Sequence, residues 1–208
     1  PEEDPSERPT EVVMGRNIKP APINEPLTDA WEKTVVFKAG AHVTTDDIVP
    51  SSAKYLPFRS NVPKLSEFSF NTLIPDFAER TRQHDGGIIV AGENYGQGSS
   101  REHAALVPLY LGIKAVLAKG FARIHRQNLI NAGILPLEFI ELEDYERIEE
   151  GDVLAFTNLR EQVETLDQVT VVNKTKDEDY VLALHVSPRE REVLLTGGYL
   201  RYALEKEF

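Results

Sequence analysis

The order of hydrophobic and polar positions divides most of this chain into short strands and helices that alternate. Apolar runs bounded by glycine predict strands, and apolar residues repeating every three or four positions predict helices. The strands are predicted over 34–40, 86–92, 113–118 and 134–139, and the helices over 76–83, 100–112 and 121–133. Such alternation favours an α/β layer in which some neighbouring strands are parallel.

The two ends of the chain follow other patterns. Residues 152–158, 169–174 and 180–186 read as further strands, and a helical segment closes the chain. Residues 1–33 are rich in proline and acidic residues and show no sustained period, which is typical of a leader or linker. We therefore expect a folded domain over 34–208, and because residue 1 is proline we expect a fragment of a longer product or a processed chain.

Composition narrows the range of partners and cofactors. The 34 acidic residues outnumber the 23 basic residues, and the net charge of −11 disfavours nucleic acid and anionic membrane surfaces as partners. We find no apolar run near the roughly 20 residues that a membrane-spanning helix needs. The sequence contains no cysteine, which excludes disulfides, thiolate zinc sites and cysteine-bound iron–sulfur clusters within this chain.

One glycine-rich stretch, residues 92–106, reads GENYGQGSSREHAAL and carries candidate chemistry. Gly92, Gly96 and Gly98 let the backbone turn sharply and approach a ligand closely. The start of the following helix favours a negative charge, and the planar guanidinium of Arg101 suits a carboxylate or phosphate. The stretch therefore predicts an anion site.

Other interpretations of this stretch stay open at this point. Ser99 and Glu102 stand three residues apart, as in a capping box that needs no catalysis. Arg101 could be a solvated surface residue, and His103 could be either structural or a catalytic base. The stretch lacks the glycine pattern of dinucleotide-binding and phosphate-binding loops, and it lacks the nucleophile elbow of serine hydrolases.

Together with VTTDDI (43–48) and KGFARIHRQNLINAGILPL (119–137), this stretch resembles the C-terminal swivel domain of aconitase-type hydro-lyases. The resemblance runs from about Val35 to the C-terminus, and the leader is similar to the linker of single-chain aconitases. It implies an α/β swivel domain with layered β/β/α elements and a mixed sheet. Small subunits of isopropylmalate isomerases share the Gly-Ser-Ser-Arg element, but they resemble this chain less well and usually lack such a leader.

The resemblance also implies roles for individual residues. Ser99 matches the base that takes or returns a proton on a substrate carbon, and Ser100 and Arg101 match residues that bind substrate carboxylates. Arg59 matches a second carboxylate-binding arginine.

The TTDD stretch carries two more residues that the resemblance places in the site. Thr45 and Asp46 match positions that line and orient it, whereas Asp47 stands where many family members carry histidine. Without the resemblance, Asp46 and Asp47 read as a solvated or turn-forming acidic pair.

The implied activity is the interconversion of citrate and isocitrate through aconitate. It needs a [4Fe–4S] cluster held by three cysteines, and this chain has none. We therefore expect the cluster in another domain in cis or in a large subunit in trans, and we expect the chain alone to be inactive. A cytoplasmic location is expected, or the mitochondrial matrix in a eukaryote.

Two alternative functions remain open. The chain could be a free small subunit of an isopropylmalate or homoaconitate hydro-lyase, although the leader argues against this. From a different class, it could be a non-catalytic RNA-binding module, which the acidic charge balance disfavours.

Overall fold

The computed structural model describes residues 15–206, which form seven strands, nine α-helices and a short 3-10 helix. The strands are β1 (Trp31–Lys38), β2 (Gly87–Ala91), β3 (Ile113–Ala118), β4 (Leu135–Phe139), β5 (Val153–Phe156), β6 (Gln168–Asn173) and β7 (Glu178–Ala183). The helices are α1 (Thr45–Ile48), the 3-10 helix (Leu56–Phe58), α2 (Val62–Ser66), α3 (Phe77–Gln83), α4 (His103–Tyr110), α5 (Arg123–Asn131), α6 (Asp144–Arg147), α7 (Leu159–Thr165), α8 (Pro188–Thr196) and α9 (Tyr199–Lys206).

All seven strands belong to one closed sheet with the order β1-β2-β3-β4-β7-β6-β5. The pairs β1–β2, β2–β3 and β3–β4 are parallel, and the remaining four pairs are antiparallel. The predicted α/β fold with a mixed sheet is thus confirmed. Its closure into a barrel adds to that prediction, because no local pattern indicates that β1 pairs with β5.

Two hydrophobic clusters lie on the two faces of the parallel half of the sheet. In β2, Ile88 and Val90 belong to a cluster that receives residues from all seven strands and therefore fills the inner face. Ile89 and Ala91 belong to the other cluster, which packs helices α1 to α4 against the outer face. Burial on both faces explains why β2 reads as a continuous apolar run rather than an alternating one.

The predicted helices and strands recur with shifted ends. Helix α4 begins at His103 rather than at residue 100, and the closing helical segment is two helices. They are separated at Gly197 and Gly198, whose φ angles of 91° and 115° end α8 and redirect the chain.

The predicted leader, residues 1–33, lies partly outside the described residues, because the structure describes none of residues 1–14. Residues 15–30 form no strand or helix, and β1 begins at Trp31. Asn24 is buried and donates from Nδ2 to the carbonyl of Gly133 at 2.9 Å. This part of the chain is therefore hydrogen-bonded to the folded domain.

Helices of the described region are too short or too polar to cross a membrane.

The parallel half of the sheet brings three loops to one end of the molecule. Strands β1, β2 and β3 are parallel neighbours, so the loops that follow them, residues 39–44, 92–102 and 119–122, leave the sheet on the same side. Ligands of α/β sheets, whether open or closed into a barrel, commonly bind at this carboxyl end of the parallel strands. The predicted anion-binding stretch is the second of these loops.

Backbone hydrogen bonds fasten the three loops to one another. The N–H of Gly96 donates to the carbonyl of Val43 at 2.7 Å, and the N–H of Tyr95 donates to the carbonyl of Gly120 at 2.9 Å. The N–H of Ala122 returns to the carbonyl of Tyr95 at 2.9 Å. The middle loop is thereby tied on both sides, which fixes the backbone that leads to Ser99.

A buried histidine of α5 packs against the same loop. His125 is 1% exposed, and a Cβ placed at Gly96, whose φ is +81°, would lie 2.1 Å from its Cδ2 atom. Only glycine allows this contact, because both the space and the backbone angle exclude a side chain. Burial lowers the pKa of His125 to about 4, so its imidazole is neutral at pH 7.

This lowered pKa predicts a pH-dependent stability. Between the pKa of about 4 in the folded chain and the ordinary value of 6.5, the unfolded chain binds a proton that the folded chain does not. The contribution of neutral His125 to the free energy of unfolding is complete above pH 6.5. It is lost as the pH falls towards 4, by up to about 1.4 kcal/mol per pH unit.

Denaturant unfolding of the wild-type chain and of His125→Phe between pH 7 and pH 4.5 measures this contribution. We expect the difference in unfolding free energy between the two proteins to shift in favour of His125→Phe as the pH falls. A difference that stays constant over this range would show that the histidine titrates normally.

Candidate active site

Ser99 is held by a cation from its own loop. Its Oγ atom accepts a hydrogen bond of 2.8 Å from Nε of Arg101, and both Ser99 and Ser100 are exposed at the end of the sheet. The backbone N–H groups of Gly98, Ser99 and Ser100 donate to no group of residues 15–206. A negative charge on the Ser99 oxygen would therefore meet a guanidinium donor in a loop with free N–H groups.

The guanidinium of Arg101 also binds helix α1 and the residue that follows it. Nη1 donates to the carbonyl of Val49 at 2.9 Å, and Nη2 donates to Oγ1 of Thr45 at 3.1 Å and pairs with Oδ1 of Asp46 at 3.0 Å. All three nitrogen atoms are thus engaged, and the side chain is only 16% exposed. A carboxylate that binds Arg101 must share or replace one of these groups.

Asp46 balances the charge of Arg101. A hydrogen bond of 2.6 Å from Ser51 Oγ lowers the pKa of Asp46, and the charge of Arg101 lowers it further against the opposing effect of partial burial. The carboxylate is therefore ionised at neutral pH, and it orients the arginine that orients Ser99.

Asp47 makes different contacts from Asp46. Its Oδ2 atom accepts from the N–H and the hydroxyl of Thr44 at 2.8 and 2.6 Å, and its own N–H donates to Thr44 Oγ1 at 3.0 Å. This is the capping box of α1. The two adjacent acids thus differ: Asp47 caps a helix, which agrees with the turn-forming interpretation, and Asp46 pairs with Arg101.

The capping box predicted for Ser99 and Glu102 is wrong. Glu102 itself is the N-cap of α4, with helical backbone angles of −60° and −33°, and no side-chain bond caps this helix. Ser99 lies outside the helix. Its hydroxyl therefore does not cap the helix.

Arg59 and His103 meet on one side of the Ser99 loop. Nε2 of His103 lies 2.8 Å from the carbonyl oxygen of Arg59. Because a carbonyl only accepts, this nitrogen donates a hydrogen bond to the backbone of Arg59. The Arg59 side chain is exposed and shares with Arg101 the wall of a small cavity of about 20 Å³. The structure thus brings the two predicted carboxylate-binding arginines together, and it gives His103 a structural contact.

A larger cavity of about 200 Å³ lies on the other side of Ser99. Its wall is formed by Thr45, Gly96, Gly98, Ser99, Ala122, Arg123, Ile124, His125 and Asn128. The first two turns of α5 supply four of these residues and its N-cap, Ala122, supplies a fifth. None of the five was predicted from the sequence as a site residue. The available signal was the position of FARIHRQN directly after β3, where a helix start reaches the same end of the sheet.

A cysteine-bound iron–sulfur cluster does not fit this chain. The sequence contains no cysteine, and no group of three or more histidine or acidic side chains within residues 15–206 could hold a metal ion. The chain's own residues therefore offer acid–base and anion-binding groups at this site.

Comparisons with known proteins agree on one protein family. The family model described as the aconitase C-terminal domain matches residues 58–142. The 3-isopropylmalate dehydratase small subunit 2 of Archaeoglobus fulgidus is 37% identical over 169 residues, which cover 80% of this chain and 90% of that subunit. The homoaconitase small subunit of Thermus thermophilus is 43% identical over 117 residues, 56% of this chain and 68% of that subunit.

A longer relative and a solved structure agree with this grouping. The putative mitochondrial aconitate hydratase of Emericella nidulans is 32% identical over 209 residues; the match covers 87% of this chain, which spans only 26% of that protein. The crystal structure of 3-isopropylmalate dehydratase (leuD) from Methanocaldococcus jannaschii has a TM-score of 0.69 and 31% identity and covers 86% of this chain and 95% of the other. The chain therefore belongs to the family that unites the C-terminal domains of aconitases with the small subunits of 3-isopropylmalate dehydratases.

Proposed function

We propose that this chain supplies the serine-bearing half of a hydro-lyase active site and works as a small subunit with a cluster-bearing large subunit in trans. The observation that carries the proposal is the 2.8 Å hydrogen bond from Arg101 Nε to Ser99 Oγ, in a chain without cysteine. The relatives named as small subunits support the assignment, because this chain spans from 68% to 90% of the length of those from Thermus thermophilus and Archaeoglobus fulgidus.

Ser99 acts in this proposal as the base that removes a proton from a carbon beside a carboxylate. A serine hydroxyl is protonated at neutral pH, so the step requires a site that stabilises the alkoxide. Arg101 provides a cationic donor at 2.8 Å, and the partly buried position of its guanidinium strengthens that interaction. Asp46 keeps the guanidinium in place without contacting Ser99 Oγ.

Substrate carboxylates bind around this centre. Arg59 is exposed and makes no side-chain hydrogen bond within the described part of the chain, so its guanidinium is available to a carboxylate. Ser100 adds an exposed hydroxyl next to Ser99. A [4Fe–4S] cluster would assist the departure of the substrate hydroxyl from its place in the other part of the enzyme.

A fused aconitase is the second candidate, with citrate and isocitrate as substrates. It is favoured by the match to the Emericella nidulans protein, which covers 87% of this chain against 80% for the Archaeoglobus fulgidus subunit. Both candidates use Ser99, Arg101 and Arg59 in the same way. They differ in the covalent link to the cluster-bearing part and in the substrate.

Replacement of Ser99 tests the proposed base. The purified chain alone should not dehydrate 3-isopropylmalate, homoisocitrate or isocitrate, and addition of the cluster-bearing part should give activity with at least one of them. Ser99→Ala should lower kcat about 10³-fold or more, because a general base contributes a factor of roughly 10² to 10⁴.

Ser52→Ala is the matched control, since Ser52 is exposed and outside both cavities. Circular dichroism should show that both variants fold as the wild type does. Near-normal turnover by Ser99→Ala would refute the assignment of the base, and turnover by the chain alone would refute the divided site.

Replacement of Arg101 by lysine separates two roles of this residue. Lysine keeps the charge but cannot reach Ser99, Val49 and Thr45 at once, because it has a single nitrogen. We expect kcat to fall about 10² to 10³-fold, as when one donor to a developing oxyanion is lost.

The same replacement at Arg82, an exposed residue of α3, should leave kcat and KM unchanged. If Arg101→Lys raised KM at constant kcat, Arg101 would be a carboxylate-binding residue and not the group that stabilises the base.

A further inference from the structure

The leading segment, residues 15–30, contacts the loop that carries Arg59. The side-chain amide of Asn17 spans this loop: Nδ2 donates to the carbonyl of Pro57 at 2.5 Å, and Oδ1 accepts from Nδ2 of Asn61 at 3.0 Å. Pro57 and Asn61 each stand two residues from Arg59 in the chain. One side chain therefore holds the loop on both sides of the arginine.

Backbone carbonyls of the same loop find their partners outside the loop. The carbonyl of Ser60 accepts from the N–H of Lys19 at 2.8 Å, and that of Arg59 accepts from Nε2 of His103 at 2.8 Å. No other backbone N–H of the described chain donates to the carbonyls of Pro57, Arg59 or Ser60. The contacts that order these carbonyls thus come from the leading segment and from α4.

The leading segment is also anchored further along the chain. Asn24 is buried, and its carbonyl accepts from Nε of Arg201 in α9 at 3.1 Å. Pro20 and Pro22, which lie between Asn17 and Asn24, restrict the backbone angles of the intervening chain. The position of Asn17 is therefore set by the body of the domain and not only by the loop that it contacts.

Aromatic side chains attach the same loop to the core. The ring of Phe58, the residue before Arg59, stacks on that of Phe68 with centroids 6.1 Å apart, and the ring of Tyr55 lies 4.9 Å from that of Phe68. Both Tyr55 and Phe58 pack against the outer hydrophobic cluster. The backbone at Arg59 is thus held by the core and by the leading segment, while the arginine side chain stays exposed.

We propose that Asn17 is a positioning residue for Arg59, and that the leading segment holds the backbone of this arginine in place for a substrate carboxylate. The inference rests on the proposed function, because it needs Arg59 to bind a carboxylate. A loop that is ordered before the substrate arrives lowers the entropic cost of binding, and a guanidinium–carboxylate pair depends on its geometry. Arg101 needs no such support, because its guanidinium is fixed by its own hydrogen bonds.

Steady-state kinetics of the holoenzyme, with this chain and its cluster-bearing part together, test the inference in a double-mutant cycle. The substrate is the one that the wild type turns over among 3-isopropylmalate, homoisocitrate and isocitrate. Asn17→Ala should raise KM about three- to tenfold, as the loss of one or two hydrogen bonds does, with kcat nearly unchanged. In the Arg59→Ala background the same substitution should leave KM unchanged, because the residue through which Asn17 acts is gone.

Gln83→Ala is the control, since it removes an exposed side-chain amide of α3 that bonds to Glu79, and it should change neither KM nor kcat. An unchanged KM for Asn17→Ala would overturn the inference, and so would an equal rise of KM in both backgrounds, which would mean that Asn17 acts independently of Arg59. If KM still rises in Arg59→Ala, the proposed function stands in both cases. An unchanged KM for Arg59→Ala would overturn the inference together with the proposed role of Arg59.

Hydrogen–deuterium exchange of the same holoenzymes gives a readout that does not depend on turnover. We expect peptides that cover residues 52–61 to exchange faster in Asn17→Ala than in the wild type, because the loop loses contacts that order it. Peptides from β6 and β7, in the antiparallel half of the sheet, should exchange equally in both proteins. Equal exchange of residues 52–61 would mean that the leading segment does not order the loop, and the inference would be wrong.

Discussion

The guanidinium of Arg101 is the group on which the arrangement of the site depends. It joins the loop after β2, through Ser99, to helix α1 and the residue after it, through the side chains of Thr45 and Asp46 and the carbonyl of Val49. These contacts fix the serine oxygen relative to a cation before any substrate arrives. Such preorganisation is effective because no group must move when charge develops.

The fold makes that junction possible through its parallel half. Three parallel strands bring their following loops to one end, where backbone hydrogen bonds between neighbouring loops hold them in register. Helix α5, which follows the third loop, completes the second wall of the site. The antiparallel strands carry none of the candidate site residues and serve to close the sheet behind the inner core.

Local patterns in the sequence were sufficient to predict most of the helices and strands and part of the candidate site. The apolar run of β2 and the glycines of the loop after it are short-range signals, and the structure has a strand and a turning loop there. The contacts of Arg101 join residues 52 and 56 positions apart in the chain, and no local rule predicts such a pairing.

Local patterns also could not predict that α5 lies beside Ser99, or which residues cap the helices. His125 and Asn128 read as ordinary residues of an amphipathic helix, and only the crossing of β3 beside β2 brings them near Ser99. Capping was one open interpretation of Ser99, where spacing allowed it, and occurs instead at Thr44, whose partner Asp47 has the same spacing of three. Spacing alone could not choose between these two positions, because both satisfy the rule.

The closed sheet has a further consequence for the way this domain can contact other chains. A sheet with free edges exposes rows of unpaired backbone groups to which other chains can add strands. In this chain every strand of the described region pairs on both sides, since β5 returns to β1. Polymerisation through strand edges is therefore blocked, so the described region can meet another chain through its loops and helices but not by adding a strand.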